Sequence, residues 1–171
     1  DLLVLNDTRV IPARLLLRRA GGSRIDGLFV RACADGRWEM LLRGRGRIRQ
    51  DERLAVEGAE GQALRLVRRC GEGLWQVAPE PPVLAEALLE RAGHVPLPPY
   101  IARQETPEPP EELDRQRYQT VFARRPGSVA APTAGLHFTA ELLEELRRRE
   151  IETAYLTLHV GLGTFQPVRT E

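Results

Sequence analysis

Apolar positions along this chain come in short alternating runs over the first half and in longer, helix-spaced runs over the second. Leu2-Leu3-Val4-Leu5 is wholly apolar and is followed by the polar cluster Asn6-Asp7-Thr8-Arg9, which predicts a buried strand ending in a loop, with Pro12 closing it. From Ala13 to about Pro79 the runs are all strand-sized. Arg14–Arg18 is one; residues 28–33 and 37–42 predict a hairpin across Ala34-Asp35-Gly36, with Trp38, Met40 and Leu42 on one face. Residues 53–57 make a short strand, and 64–69 and 74–78 pair across Gly71-Glu72-Gly73. Close spacing with no helical stretch between argues for a small barrel.

Pro79, Pro81 and Pro82 mark the change of pattern. Residues 83–92 carry Leu84, Ala87, Leu88 and Arg91 at near-helical spacing, with Gly93 as the stop. The proline-rich stretch 96–101 must be extended, His94 is expected at the surface, 106–113 reads as an exposed acidic loop, and 114–123 as a short helix leading to an apolar end. Residues 128–131 then form a short apolar run that Pro132 stops, Thr133-Ala134-Gly135 allows a tight turn, and Thr139 suits a helix N-cap ahead of the amphipathic stretch 140–150. Alternation at 154–160 predicts a final strand, and strand–helix–strand implies that it pairs in parallel with the first. The expected fold is therefore an α/β domain, with a mixed or parallel sheet and flanking helices, from residues 1–12 and 82–171, and an inserted small all-β barrel from 13–81.

Composition narrows the classes. An apolar share of 42% and a charged share of 29% are those of a globular protein, and no apolar run approaches the roughly 20 residues of a membrane span. Residues 1–17 lack the basic start and cleavage site of a secretory signal, so a cytoplasmic protein is expected. The two cysteines, Cys33 and Cys70, are far apart, which argues against a metal site and predicts two small buried hydrophobes. Net charge is only +1, yet residues 13–80 carry fourteen Arg against nine Asp and Glu, and there is no lysine. A basic module joined to a mildly acidic one fits a protein of which one part meets a polyanion.

The chemistry is expected at strand ends. Parallel strands place their carboxyl ends on one sheet edge, here Pro132-Thr133-Ala134-Gly135-Leu136-His137 and His159-Val160-Gly161-Leu162-Gly163-Thr164. Two histidines, the side chains best poised for proton transfer near neutral pH, would share that edge. Asn6 and Asp7 either build an Asx turn or, as the alternative, Asp7 or Arg9 points into a pocket there, and Arg115, Arg117 and Gln119 either face a polar ligand or are solvated. Arg43, Arg45, Arg47 and Arg49 read either as a solvated, flexible turn or as a phosphate-contacting loop.

Five blocks carry a resemblance: residues 3–14, Pro96-Leu97-Pro98-Pro99-Tyr100-Ile101, residues 114–123, residues 127–139 and residues 156–165. In order and along the whole chain they resemble the S-adenosylmethionine:tRNA ribosyltransferase-isomerase family of queuosine biosynthesis. The family's chains are longer at both ends, so this stretch is expected to be a central fragment with an incomplete active site. The resemblance implies an α/β domain with an inserted barrel. It also implies transfer and isomerisation of the ribosyl group of S-adenosylmethionine onto 7-aminomethyl-7-deazaguanine in a tRNA anticodon, releasing adenine and methionine. S-adenosylmethionine is then a consumed cosubstrate, with no separate cofactor and no metal, and the partner is tRNA, with a monomer expected and no membrane. That chemistry needs a base for the C–H beside the sulfonium, for which His137 comes first and His159 second. Asp7, Thr133 or His159 would assist adenine departure, and Arg9 or Arg117 would hold the methionine carboxylate. Asn6, Arg115, Tyr118, Gly135, Gly161, Gly163 and Thr164 complete the substrate-binding set, and the four arginines 43–49 would hold tRNA phosphates. The competing readings are a non-catalytic RNA-binding protein and a methyltransferase, the latter disfavoured by the absence of a glycine fingerprint after the first strand.

Overall fold

The computed structural model describes residues 1–97 and 111–161. The expectations for 98–101 and 106–110, and for Gly163 and Thr164, lie outside the described residues. The fold is mixed α/β and divides into two compact units, Asp1–Ile11 with Leu97–Glu171, and Pro12–Pro96.

The first unit opens with β1 (Leu2–Asn6) and β2 (Thr8–Val10). The second holds β3 (Arg14–Arg18), β4 (Arg24–Ala32), β5 (Trp38–Gly44), β6 (Arg53–Val56), β7 (Ala63–Arg69), β8 (Leu74–Glu80) and α1 (Ala85–Ala92). Its strands pair antiparallel in the order β3-β4-β5-β8-β7-β6, and β3 meets β6, so the sheet closes into a barrel. Alternation explains the closure: Leu15 and Leu17, Trp38, Met40 and Leu42, Leu54, Leu64, Leu66 and Val77 point inward at 3% exposure or less, while arginines occupy intervening outer positions. Closure leaves no open sheet edge. The hairpin β4–β5 turns at Gly36, whose φ of 78° suits glycine.

Helix α1, assigned by the sequence reading to the α/β part, instead belongs with the barrel. The chain after it returns along β3, where the backbones of Arg14 and His94 bond reciprocally at 3.0 and 2.7 Å. Gly93 is required by that approach and not by a left-handed cap: its φ is −84°, and an added Cβ would collide with the carbonyls of Pro12 and Leu89. His94 is half-buried rather than a surface residue. Cys33 is half-buried and Cys70 exposed, both free, so the expectation of two buried thiols does not hold.

The first unit continues with α2 (Glu111–Arg117), β9 (Arg125–Ser128), a short 3-10 helix (Thr133–His137), α3 (Ala140–Arg148) and β10 (Glu152–Leu156). Helix α2 starts three residues before the expected position, inside the stretch read as a loop. Thr139 caps α3 as expected, its hydroxyl accepting the Leu142 N–H at 3.1 Å. The strand pairing differs from the expectation. The strand before α3 ends at Ser128 instead of spanning 128–131, and β9 and β10 do not pair with each other. Both pairings are parallel but go to the N-terminal segment: β10 lies on β1, with Leu2 opposite Glu152 and Asn6 opposite Leu156, and β9 lies on β2.

Candidate active site in the first unit

The site is built where the N-terminal segment passes from one strand partner to the other. Asp7 is the crossing point: its N–H donates to the Leu156 carbonyl at 2.9 Å, while its own carbonyl accepts the N–H groups of Arg124 and Arg125 at 2.8 and 3.1 Å. Its side chain is 6% exposed, and Oδ1 accepts the Thr157 hydroxyl at 2.6 Å, the short distance of a charge-assisted bond. Asn6 extends the β1–β10 pairing with its carboxamide, donating to the Leu158 carbonyl and accepting the Leu158 N–H, both at 3.0 Å, with a further bond from the Thr8 N–H at 3.2 Å. The carboxamide assigned to substrate is thus engaged with the backbone. Gln119 does the same for β2, accepting the Val10 N–H at 3.0 Å and donating to the Val10 carbonyl at 2.8 Å, which explains its position without a ligand.

These side chains carry residues 157–160 to the end of β9. There Ser128, fully buried, donates its hydroxyl to the Ala130 carbonyl at 2.7 Å and accepts the Val160 N–H at 3.0 Å, and Val129 donates to the Val160 carbonyl at 3.0 Å. His159 is fixed between them. Its Nδ1 lies 2.8 Å from the hydroxyl of Thr8, a residue 1% exposed, which orients the ring and leaves Nε2 without a hydrogen bond among the described residues. The ring also packs against Gly127: a Cβ there would come within 2.8 to 3.1 Å of Cε1, Nε2 and Cδ2, and the φ of 143° is one that glycine adopts freely. When the hydroxyl accepts from Nδ1–H, Nε2 holds a lone pair and can act as a base; the opposite tautomer makes Nε2 a donor.

The remaining expected residues are distributed around this node. His137 ends the 3-10 helix, exposed, and makes no side-chain hydrogen bond among the described residues, so the two histidines are not held in one network. Thr133 is exposed at the start of the same helix. Gly135 packs inward, where a Cβ would meet Thr120 at 2.8 Å and the Phe122 ring at 3.0 Å, so its smallness serves packing. Gly161 is exposed with open space about it. Arg9 is exposed on β2; Arg117 is exposed and Arg115 half-buried on α2, and Tyr118 is buried just after it. Glu141, in the first turn of α3, is held below the usual carboxylate range by its own backbone N–H and the Thr139 hydroxyl. No cluster of His, Cys, Asp or Glu able to hold a metal occurs among the described residues, and none of their helices is long and apolar enough to cross a membrane.

Sequence reasoning singled out Asn6, Asp7 and Arg9 in the polar cluster and missed Thr8, the residue that touches a histidine. Its signal was the alternation of Thr8 and Val10, both inward on β2. Ser128 and Thr157 were likewise missed as supports, because a side-chain bond to a residue distant in sequence leaves no periodicity. On the barrel, Arg43, Arg45, Arg47 and Arg49 are all exposed, on or just beyond the end of β5.

A family model described as queuosine biosynthesis protein matches residues 1–171. The S-adenosylmethionine:tRNA ribosyltransferase-isomerase of Trichlorobacter lovleyi is 49% identical over 171 residues, covering 100% of this chain and 48% of the relative. The protein of the same name from Synechococcus is 45% identical over 178 residues, covering 100% and 47%. A crystal structure of S-adenosylmethionine tRNA ribosyltransferase from Thermotoga maritima aligns with 26% identity and a TM-score of 0.41, over 94% of this chain and 41% of that one. The chain spans about half the length of the curated relatives it matches. Matched from its first residue to its last, the chain belongs to the queuosine biosynthesis protein family.

Proposed function

We propose that this protein transfers and isomerises the ribosyl group of S-adenosylmethionine onto 7-aminomethyl-7-deazaguanine in a tRNA anticodon, releasing adenine and methionine. The observation that carries the reading is the family match over residues 1–171, with relatives of that name at 45% to 50% identity. S-adenosylmethionine is consumed as cosubstrate, and no separate cofactor takes part. The first unit carries the chemistry and the inserted barrel contributes to holding the tRNA; the protein works as a cytoplasmic monomer.

The sulfonium acidifies the neighbouring 5′ C–H, and its removal needs an oriented base. His159 fits that role better than His137, because Thr8 fixes its Nδ1 and Gly127 gives its ring room, whereas His137 makes no side-chain hydrogen bond among the described residues. Asp7, held by Thr157, contributes negative charge beside this node, and Arg9 or Arg117 receives the methionine carboxylate. Thr133 and Gly161 line the nucleoside.

The test is to incubate full-length protein with labelled cosubstrate and tRNA carrying the aminomethyl base. Free adenine and methionine are expected. S-adenosylhomocysteine would indicate a methyltransferase, and tight tRNA binding without turnover a non-catalytic RNA-binding protein. His159→Ala is expected to lower adenine release by about 10² to 10⁴ while sparing tRNA affinity; a larger loss in His137→Ala would return the role to that residue.

A further inference from the structure

The arginines of the barrel fall into two populations. Most face carboxylates: Arg31 lies 2.7 Å from Glu39, Arg53 and Arg65 each lie 2.8 Å from Glu80, and Arg18 and Arg24 share Glu57 at 2.8 and 3.3 Å. Arg43, Arg45, Arg47, Arg49, Arg68 and Arg69 form no ion pair among the described residues, and of these Arg68 is engaged with Gln76 at 3.1 Å. Charges left unmatched on a barrel that neutralises so many others mark a surface kept for an anion.

Three of them surround one concavity. Arg47, Arg49 and Arg69 line a space of about 670 Å³ whose apolar wall is Leu42, Ile48 and Trp75. That volume is within the range of about 300 to 1,000 Å³ typical of small-ligand sites. The loop presenting Arg47 and Arg49 is braced: Arg19 sits 2.9 Å from Glu52 and donates to the carbonyls of Arg45 and Arg47 at 3.3 and 3.0 Å. Glu52 in turn accepts the Arg49 N–H at 3.2 Å. Of the two readings of this turn, solvated and flexible or phosphate-contacting, flexibility does not fit, because the turn is tied at three points. The neighbouring concavity shares Arg47 and Arg49 but includes Asp51 and Glu52, whose carboxylates make it the poorer anion site.

We propose that the Arg47–Arg49–Arg69 concavity binds one nucleotide unit of an RNA strand, its phosphate on the three guanidinium groups and its sugar and base edge against Ile48, Leu42 and Trp75. Guanidinium forks match phosphate oxygens two at a time. An apolar wall beside them discriminates a nucleotide from a bare phosphate. Trp75 is 6% exposed, so it offers a wall and not a stacking platform. The choice of RNA as the source of the phosphate rests on the function proposed above; the concavity itself does not.

The experiment measures binding of full-length protein to tRNA lacking the aminomethyl base, so no turnover is needed. Arg69→Ala is expected to weaken binding about fivefold to tenfold near 0.1 M salt and to lower the slope of log affinity against log salt by about one. Ile48→Asp should weaken it further, and Arg53→Ala, whose partner is Glu80, should match the parent protein. Equal affinities for Arg69→Ala and Arg53→Ala would overturn the proposal. Displacement of tRNA by micromolar 5′-AMP would overturn the choice of RNA, identifying a free-nucleotide site. Arg69-dependent binding in a protein that releases no adenine would leave the subsite standing and remove the reaction.

Discussion

The barrel and the first unit satisfy their backbones in different ways. In the barrel, strands β3 to β8 pair with one another around a closed ring, and the core is a set of aliphatic side chains with Trp38 edge-on to Phe29 at 5.8 Å. In the first unit, two-stranded pairings are prolonged by side chains: Asn6 onto Leu158, Gln119 onto Val10, Ser128 onto Val160. Helix α3 has no fully buried residue, and Leu2, Val4, Tyr155, Leu156 and Leu158 are all more than a third exposed. One region is held by a closed apolar core; in the other a smaller apolar set, with Leu5, Val10, Tyr118, Phe122 and Val129 buried, is joined by polar side chains near the histidine. Stability and chemistry therefore depend on different residue types in the two halves.

The sharpest way to break this contrast is Trp38→Ala. Removing a side chain 1% exposed should cost about 3–5 kcal/mol in chemical denaturation; a loss below about 1 kcal/mol would mean that packing is not what holds the barrel. Ser128→Ala comes next, at about 1–3 kcal/mol, because it strips the Val160 N–H of a buried acceptor. Hydrogen exchange at the Val160 amide should accelerate with it, and an unchanged amide would sink the idea of a side-chain ladder.

Thr8→Val keeps shape but removes the bond to His159, so we expect adenine release to fall about tenfold or more with little change in unfolding midpoint. Thr8→Ser should recover most of the rate. The smallest effect belongs to the barrel surface. Hydrogen bonding from Arg65, with the Arg53 charge, holds the Glu80 carboxyl below the usual carboxylate range. A lowered folded pKa stabilises above the unfolded value and is lost as pH falls through the folded one. Glu80→Gln should therefore be less stable than the parent near neutrality, and the difference should vanish at acid pH; a difference that grew on acidification would reverse the assignment.

How much of this was legible follows the same division. Alternation placed β3 at its observed bounds and brought Trp38, Met40 and Leu42 to one face, because inward and outward positions on a strand differ in burial. Thr139 was readable as a cap because its bond is local. Which strand pairs with which was not readable in the first unit: β2 and β9 have only three and four residues, too few for a pattern to select a partner. The contacts that orient His159 join residues 8, 127 and 159, and no local rule links positions so far apart. Gly93, read as a helix stop, and Gly135, read as a turn residue, both make room for close packing.

Asp7 hands the chain from one strand partner to the other through its own N–H and carbonyl, with no spare residue on either side. Such a crossing tolerates no change in length. Inserting a single residue next to it would shift β1 against β10 or β2 against β9 and turn inward-facing Thr8 outward, whereas the turn between β4 and β5, with open space about Gly36, could absorb an insertion at the solvent boundary. Evolution of this half should therefore proceed by substitution, and length variation should accumulate at the tips of the barrel.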